Sequence, residues 1–266
     1  TAVLLTAGTL AQPPNIEAQK YQGRAKNTQT YSADSKLDAN TEAYIKGLRK
    51  QGYLSPTDRT SFVVYDIDHN RKVASINEDQ RLMAASTIKV YVMLVYFDQV
   101  KAGKTTYTKK DRRLLRRMIQ KSSNSATNAL IKKFGGPEIV ERILATKYPF
   151  FNETDVVEYI PKGGKTYRNT TSAHDLNIFY NQVWRNSLPF SGEMKKYLAL
   201  PGNDRIFKGT CIPKGTRVLN KTGTVYGLVA DSGILVLKDN QGRSRPYAIT
   251  GMIEDRTKTS DGNREE

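Results

Sequence analysis

The stretch RLMAASTIKVYVML, residues 81–94, sets one serine and one lysine three positions apart at the head of an apolar run. Positions i and i+3 share one side of a helix, so Lys89 can bring its amine beside the Ser86 hydroxyl. A serine at a helix N-terminus also meets the positive end of the helix dipole, which favours negative charge developing on oxygen. Serine is a poor nucleophile without a base. Packing of Lys89 among Met83, Val90 and Met93 would lower the pKa of the amine toward that task. The same residues also fit a helix cap followed by a snorkelling lysine, and the rest of the chain has to decide between the two.

On the N-terminal side, TSFVVYDIDHNRKVASINEDQRL (60–82) alternates in polarity and predicts two strands around an Asp68-His69-Asn70 turn. Before it, SKLDANTEAYIKGLRKQGYL (35–54) places Leu37, Ala43, Tyr44, Ile45 and Leu48 near one helical face and ends at Gly52. Residues 12–35 are polar and aperiodic, a linker or tail. The opening TAVLLTAGTLAQPP is a short apolar run ending in small residues, Thr9 and Ala11, and resembles the later part of a secretory signal peptide with its cleavage site. It implies a secreted or extracytoplasmic protein, in the periplasm or at a bacterial cell surface.

On the C-terminal side a long helix runs through STIKVYVMLVYFDQV (86–100). Three more helices are predicted in KKDRRLLRRMIQKS (109–122), SATNALIKKFGG (125–136) and PEIVERILATKY (137–148). PFFNETDVVEYIPKGGKTYRN (149–169) has no sustained period and predicts a long loop, of the kind that carries function. Thr170, Thr171 and Ser172 then offer caps for a helix through Trp184. The last third returns to strands in RVLNKTG (217–223), LVADSGILVLKD (228–239) and RPYAITGMIED (245–255). This order predicts an α/β fold, an α+β sandwich. Its antiparallel sheet is formed from both chain ends and flanked by helices, with an all-helical lobe inserted. The expected boundaries are a tail over 1–34, an α/β lobe over 35–104 plus 205–266, and a helical lobe over 105–204.

Composition narrows the chemistry. The single cysteine, Cys211, excludes an internal disulfide and any multi-cysteine zinc site, and in KGTCIPKG it reads as a packing residue. Two histidines, His69 and His174, leave almost no material for a histidine triad or metal cluster. No stretch approaches the roughly 20 apolar residues that cross a bilayer. The formal charge of +16 gathers in clusters such as KKDRRLLRRM (109–118). No aromatic residues interleave with them and no nucleic-acid motif accompanies them, so a nucleic-acid partner is not expected. Outside the cytoplasm the same charge suits anionic cell-wall polymers, or simply a well-solvated surface.

Two further motifs bear on Ser86. KSSNSATN (121–128) lies at a helix junction, where Ser122 and Asn124 can both point into one cleft, although serine and asparagine are also ordinary capping residues there. NKTGTVYG (220–227) follows a strand; Lys221 and Thr222 would suit a carboxylate, and Gly223 would let a substrate approach the backbone, unless the three are only a polar turn.

S-x-x-K at a helix start, S-x-N in the helical middle and K-T-G on a late strand form the motif set of class A β-lactamases and penicillin-binding proteins. The chain resembles that family from about Ser35 to about Asp255. The resemblance extends to ATNALIKKFGGPE, to the NTTSAHDL helix start and to VADSGILVL after K-T-G. It implies a cleft between the two lobes, no metal and no cofactor, and a serine hydrolase acting on the β-lactam amide. The alternatives are a penicillin-binding protein-like D,D-peptidase or slow acyl-enzyme trap acting on a peptidoglycan peptide, and a non-catalytic, basic cell-wall-binding module on the same fold. Ser86 would be the acylated nucleophile and Lys89 its base, Ser122 would protonate the leaving nitrogen, and Asn124 would hold the substrate amide. Lys221 and Thr222 would bind the substrate carboxylate, and the N–H groups of Ser86 and Thr224 would form the oxyanion hole.

The resemblance fails in the long loop. Family members that hydrolyse the acyl-enzyme carry a loop glutamate, followed four residues later by an asparagine. Aligning Ile160-Pro161 selects Glu153 as the base, with Val157 in the asparagine position; counting from Gly135-Gly136-Pro137 selects Glu158, followed by Lys162. Asn169 stands where the loop normally closes with an aspartate, and Ser123 where class A enzymes carry one. In the family a long helix follows the last strand; the sequence ends soon after Asp255, so either that helix lies outside it or another segment, the apolar N-terminal stretch being one candidate, would cover that sheet face.

Overall fold

A computed structural model describes residues 35–200, 202 and 212–255. The apolar N-terminal stretch, Cys211 and the residues after Asp255 lie outside the described residues, and with them the expectations for a signal remnant, a packing cysteine and a sheet cover.

Helix α1 (Ser35–Lys50) precedes strands β1 (Arg59–Asp66) and β2 (Arg71–Ile76), which form the predicted hairpin. Strands β5 (Arg217–Val225), β6 (Leu228–Lys238) and β7 (Ser244–Glu254) form an antiparallel meander. The five strands lie in the order β2-β1-β7-β6-β5, because β1 zips along β7 from the Arg59–Glu254 pair to the Asp66–Tyr247 pair. Both chain ends therefore build one sheet. Alternation fixes its inner face: Ala248, Thr250 and Met252 of β7 and Val63 and Tyr65 of β1 are buried. Helix α6 (Ala173–Trp184) packs on β1, β6 and β7.

The hairpin is shorter than its alternation suggests. Asn77 adopts a left-handed φ of 49° and donates to Thr60 O at 3.0 Å, which ends β2 at Ile76. Leu82–Met83, expected to close the hairpin, instead forms β3 and pairs with β4 (Thr170–Thr171). That small ribbon draws the end of the long loop to the residues just before Ser86.

Helix α2 (Lys89–Lys101) is buried from Lys89 to Gln99, as an apolar sequence all round the helix requires. Around it stand α3 (Lys109–Gln120), α4 (Asn124–Phe134), α5 (Pro137–Lys147) and the short α7 (Ser191–Leu198). Their ends follow local chemistry. Thr108 and Asp111 form a reciprocal capping box on α3, and Gly135 ends α4 at a φ of 104°. Gly136 and Pro137 then start α5. Among the described residues no helix is long and apolar enough to cross a membrane.

Candidate active site

The predicted helix start at Ser86 is a 3-10 turn, Ala85–Ile88, that leads into α2. Ala85 takes a left-handed φ of 44°, a conformation that costs an L-residue about 1–2 kcal/mol and aims the next side chain out of the helix line. Lys89 is the first residue of α2 and fully buried. Its Nζ lies 2.7 Å from Ser86 Oγ, 2.7 Å from Ser122 O, 2.8 Å from Asn124 Oδ1 and 3.1 Å from Ser122 Oγ. Two of these neighbours, the Ser122 carbonyl and Asn124 Oδ1, only accept. A neutral lysine amine has two N–H bonds and one lone pair. With both hydrogens given to those acceptors, the lone pair is left for the Ser86 hydroxyl proton.

The surroundings bring the neutral form within reach near neutral pH. Burial, and then the positive charge of Lys221, lower the Lys89 amine to about 7. Lys221 sits on edge strand β5, 3% exposed, and donates to Ser122 Oγ at 3.0 Å and to Thr222 O at 2.7 Å. The Ser122 hydroxyl is thus held between two lysine amines.

Ser122 reaches this point because α3 ends two residues earlier, at Gln120. It takes a left-handed φ of 52° beyond the helix, while the next N–H, of Ser123, bonds back to Arg117 O at 3.0 Å. Ser123, not Ser122, then caps α4 by accepting from Ala126 N at 3.3 Å. The capping role left open for Ser122 and Asn124 therefore falls to Ser123, and Ser122 is turned to Lys89. Asn124 opens α4 and turns its side chain to Lys89.

Gly223 of K-T-G has a different reason from the one expected. A Cβ there would meet Thr87 Cγ2 at 2.9 Å, Ala84 O at 3.2 Å and Thr87 N at 3.3 Å. The close approach is made by the chain's own 3-10 turn, and it sets β5 beside the serine. Ser86, Ser122 and Asn124, loop residues Gly163 to Tyr167, and Thr224, Val225 and Tyr226 line one cleft of about 620 Å³. The structure thus brings Ser86, Lys89, Ser122, Asn124, Lys221, Thr222 and Thr224 into one neighbourhood.

Comparison with known proteins gives the family and the fold. The family model described as the Beta-lactamase enzyme family matches residues 42–112 and 105–266. The chain belongs to the β-lactamase enzyme family. No curated protein sequence matches it. Among solved structures, PBP-A is similar at 19% identity and a TM-score of 0.66, over 86% of this chain and 92% of that chain. A β-lactamase from Chitinophaga pinensis DSM 2588 is similar at 17% identity and a TM-score of 0.67, over 81% and 91%. The ancestral (GNCA) class A β-lactamase is similar at 21% identity and a TM-score of 0.65, over 80% and 90%. At these identities the likeness is one of fold.

Set in this β-lactamase frame, the loop carboxylates are both committed elsewhere. The Glu153 carboxylate bonds to Arg81 Nε at 2.8 Å, and Arg81 also pairs with Asp155. Glu158 Oε1 accepts from Thr166 Oγ1 at 2.9 Å and from the N–H groups of Tyr167 and Arg168 at 3.1 Å each. Neither is among the partners of Ser86 or Lys89, and neither lines the cleft. Glu153 thus closes the root of the loop and Glu158 folds its tip. Val157 offers its N–H to Asn169 Oδ1 at 2.8 Å.

Asn169 does what the missing aspartate clamp would do. Its Oδ1 also accepts from Glu158 N at 3.1 Å, its Nδ2 donates to Glu158 O at 3.2 Å, and its carbonyl accepts from Ala84 N at 2.8 Å. Asn128 brackets Ile160, donating to its carbonyl at 2.8 Å and accepting from its N–H at 2.9 Å. Asn128 lies one helical turn after Asn124, a spacing that would have flagged it. The buried Asp175 carboxylate gathers Asn152 N, Glu153 N and Thr154 Oγ1 at 3.1, 2.8 and 2.7 Å, and burial pushes it up to about 6. Among the described residues, Glu78, Asp79 and His174 are close enough to share a cation, but Glu78 pairs with Lys72 and His174 Nδ1 bonds to Asp79.

Proposed function

We propose that this protein is a serine hydrolase of β-lactamase type. It opens the β-lactam amide through an acyl-Ser86 intermediate, and it releases the acyl group slowly. The observation that carries the first half is the Lys89 amine, buried, lowered to about 7 and 2.7 Å from Ser86 Oγ. Neutral Lys89 takes the Ser86 proton as Oγ bonds to the carbonyl carbon, while the N–H groups of Ser86 and Thr224 face the oxyanion. The C–N bond then breaks. The Ser122 hydroxyl gives its proton to the leaving nitrogen and is reprotonated from Lys89, 3.1 Å away. Lys221 and Thr222 hold the substrate carboxylate, and Asn124 the side-chain amide.

Release of the ester needs a water with a base beside it. The loop carboxylates that would supply one are held by Arg81 and by the loop's own N–H groups. The apolar opening stretch with its small-residue end supports an extracytoplasmic bacterial location, where such substrates occur.

Intact-protein mass spectrometry after mixing with penicillin G tests both halves. A mass gain of one penicillin on the native chain, absent in Ser86→Ala, is the expected result, and labelling of Ser86→Ala would overturn the nucleophile. The adduct should persist for hours; its loss within a minute, at the pace of substrate turnover, would overturn slow release.

A further inference from the structure

Helix α3 carries KKDRRLLRRMIQ and ends beside the cleft. Lys109, Lys110, Arg113, Arg116 and Arg117 are exposed on it, and Lys121 follows directly. Among the described residues none of these six lies within 4 Å of a carboxylate. The helix has one acid, Asp111, and that is buried in the capping box and paired with Lys133.

This arrangement opposes the helix's own stability in two ways. Lys109 and Lys110 occupy the first turn, where the dipole favours acids and disfavours cations. Lys109 with Arg113, and Arg113 with Arg117, are like-charged pairs one turn apart. A surface that is locally unfavourable, with no compensating acid, is where an outside partner supplies the missing charge. The ridge also lacks what a bilayer would need, since none of the large exposed apolar side chains lies on α3. Three arginine forks, rather than lysines alone, match phosphate oxygens. From Lys110 to Lys121 the cations extend about 16 Å along the helix, and Lys121 precedes Ser122, which lines the cleft.

We propose that the α3 ridge binds a linear phosphate-bearing polyanion, tracking its backbone by charge and leading it toward the mouth of the cleft. This surface is separate from the acylation chemistry, and its failure would leave the proposed hydrolase intact.

The test uses the full chain with inorganic polyphosphate, poly(glycerol phosphate) and an oligothymidylate of matched phosphate number, between about 50 and 200 mM salt. All three should bind, more weakly as salt rises. Arg113→Gln/Arg116→Gln/Arg117→Gln should weaken binding roughly tenfold or more and flatten the log–log salt slope by about two to three. A control with equal charge loss on other elements, Lys50→Gln/Lys214→Gln/Lys238→Gln, should stay within about twofold of the native protein. Unchanged penicillin acylation of both triples shows that they fold. Equal weakening in the two triples would overturn the ridge in favour of net charge alone. Preference for the oligothymidylate over both other polymers would overturn recognition by phosphate chain alone. Tighter binding to vesicles of phosphatidylserine than to any of the polymers would overturn the polymer in favour of a lipid surface.

Discussion

The acylation centre and the loop that borders it use polar groups in opposite ways. Around Ser86, half-buried and buried polar side chains point at one another, and Lys89 alone joins the 3-10 turn, the residues after α3 and the start of α4. In the loop over 149–169 the polar groups close on the loop itself and on its supports, through Glu158, Asn169, Asn128 and Asp175. One region spends its side chains on a reactive hydroxyl and the other on its own shape. The lesson is that a glutamate in the expected stretch of sequence can be engaged by backbone N–H groups, as Glu158 is, or by an arginine, as Glu153 is.

The strongest way to break this contrast is Lys89→Ala. Loss of a positioned general base should slow penicillin acylation by about 10²–10⁴-fold, read by stopped-flow with a chromogenic β-lactam. In the native protein the acylation rate should rise about tenfold per pH unit below the Lys89 value of about 7, as the amine loses its proton, and level off above it. The positive charge of Lys221 contributes to that low value. Lys221→Gln should therefore move the profile to higher pH as well as weaken carboxylate binding; a profile moving to lower pH would reverse the electrostatic assignment.

Gly223→Ala forces a methyl into the 3-10 turn, 2.9 Å from Thr87 Cγ2, and should cost about 1–3 kcal/mol in denaturant unfolding while also slowing acylation. Glu158→Gln leaves two backbone N–H groups and a hydroxyl with a weaker acceptor. It should lower stability by about 1–2 kcal/mol and leave the acyl-enzyme lifetime within about twofold; a lifetime lengthened by tenfold or more would make Glu158 the base after all. Glu153→Gln weakens a half-exposed ion pair with Arg81, an effect of about 0–1 kcal/mol, and should leave every rate unchanged.

Much of the sheet was legible in the sequence because strand alternation is local. Val63 and Tyr65, or Ala248, Thr250 and Met252, declare an inner face at period two. The end of the hairpin was not, since the left-handed Asn77 and the pairing of Leu82–Met83 with Thr170–Thr171 join residues far apart in the chain. In the site, Ser86 and Lys89 were legible as neighbours from their spacing, and Ser122, Asn124 and Lys221 from their motifs. Which serine of the pair caps a helix and which serves Lys89 depended on where α3 stopped, which a run of Lys121, Ser122 and Ser123 leaves open.

The sequence by itself determined the fold class, the pairing of Ser86 with Lys89, and the lack of a glutamate and asparagine four residues apart in the long loop. These rest on spacing within one helix or one motif, where covalent geometry fixes who meets whom. Only the tertiary structure decided that Gly223 makes room for the 3-10 turn, that Lys89 lies within reach of the Lys221 charge, and that Glu153 bonds to Arg81 and Glu158 to the loop's own N–H groups. Each of those depends on contacts between segments distant along the chain, and a buried charge or an engaged carboxylate is defined by what surrounds it rather than by its place in the sequence.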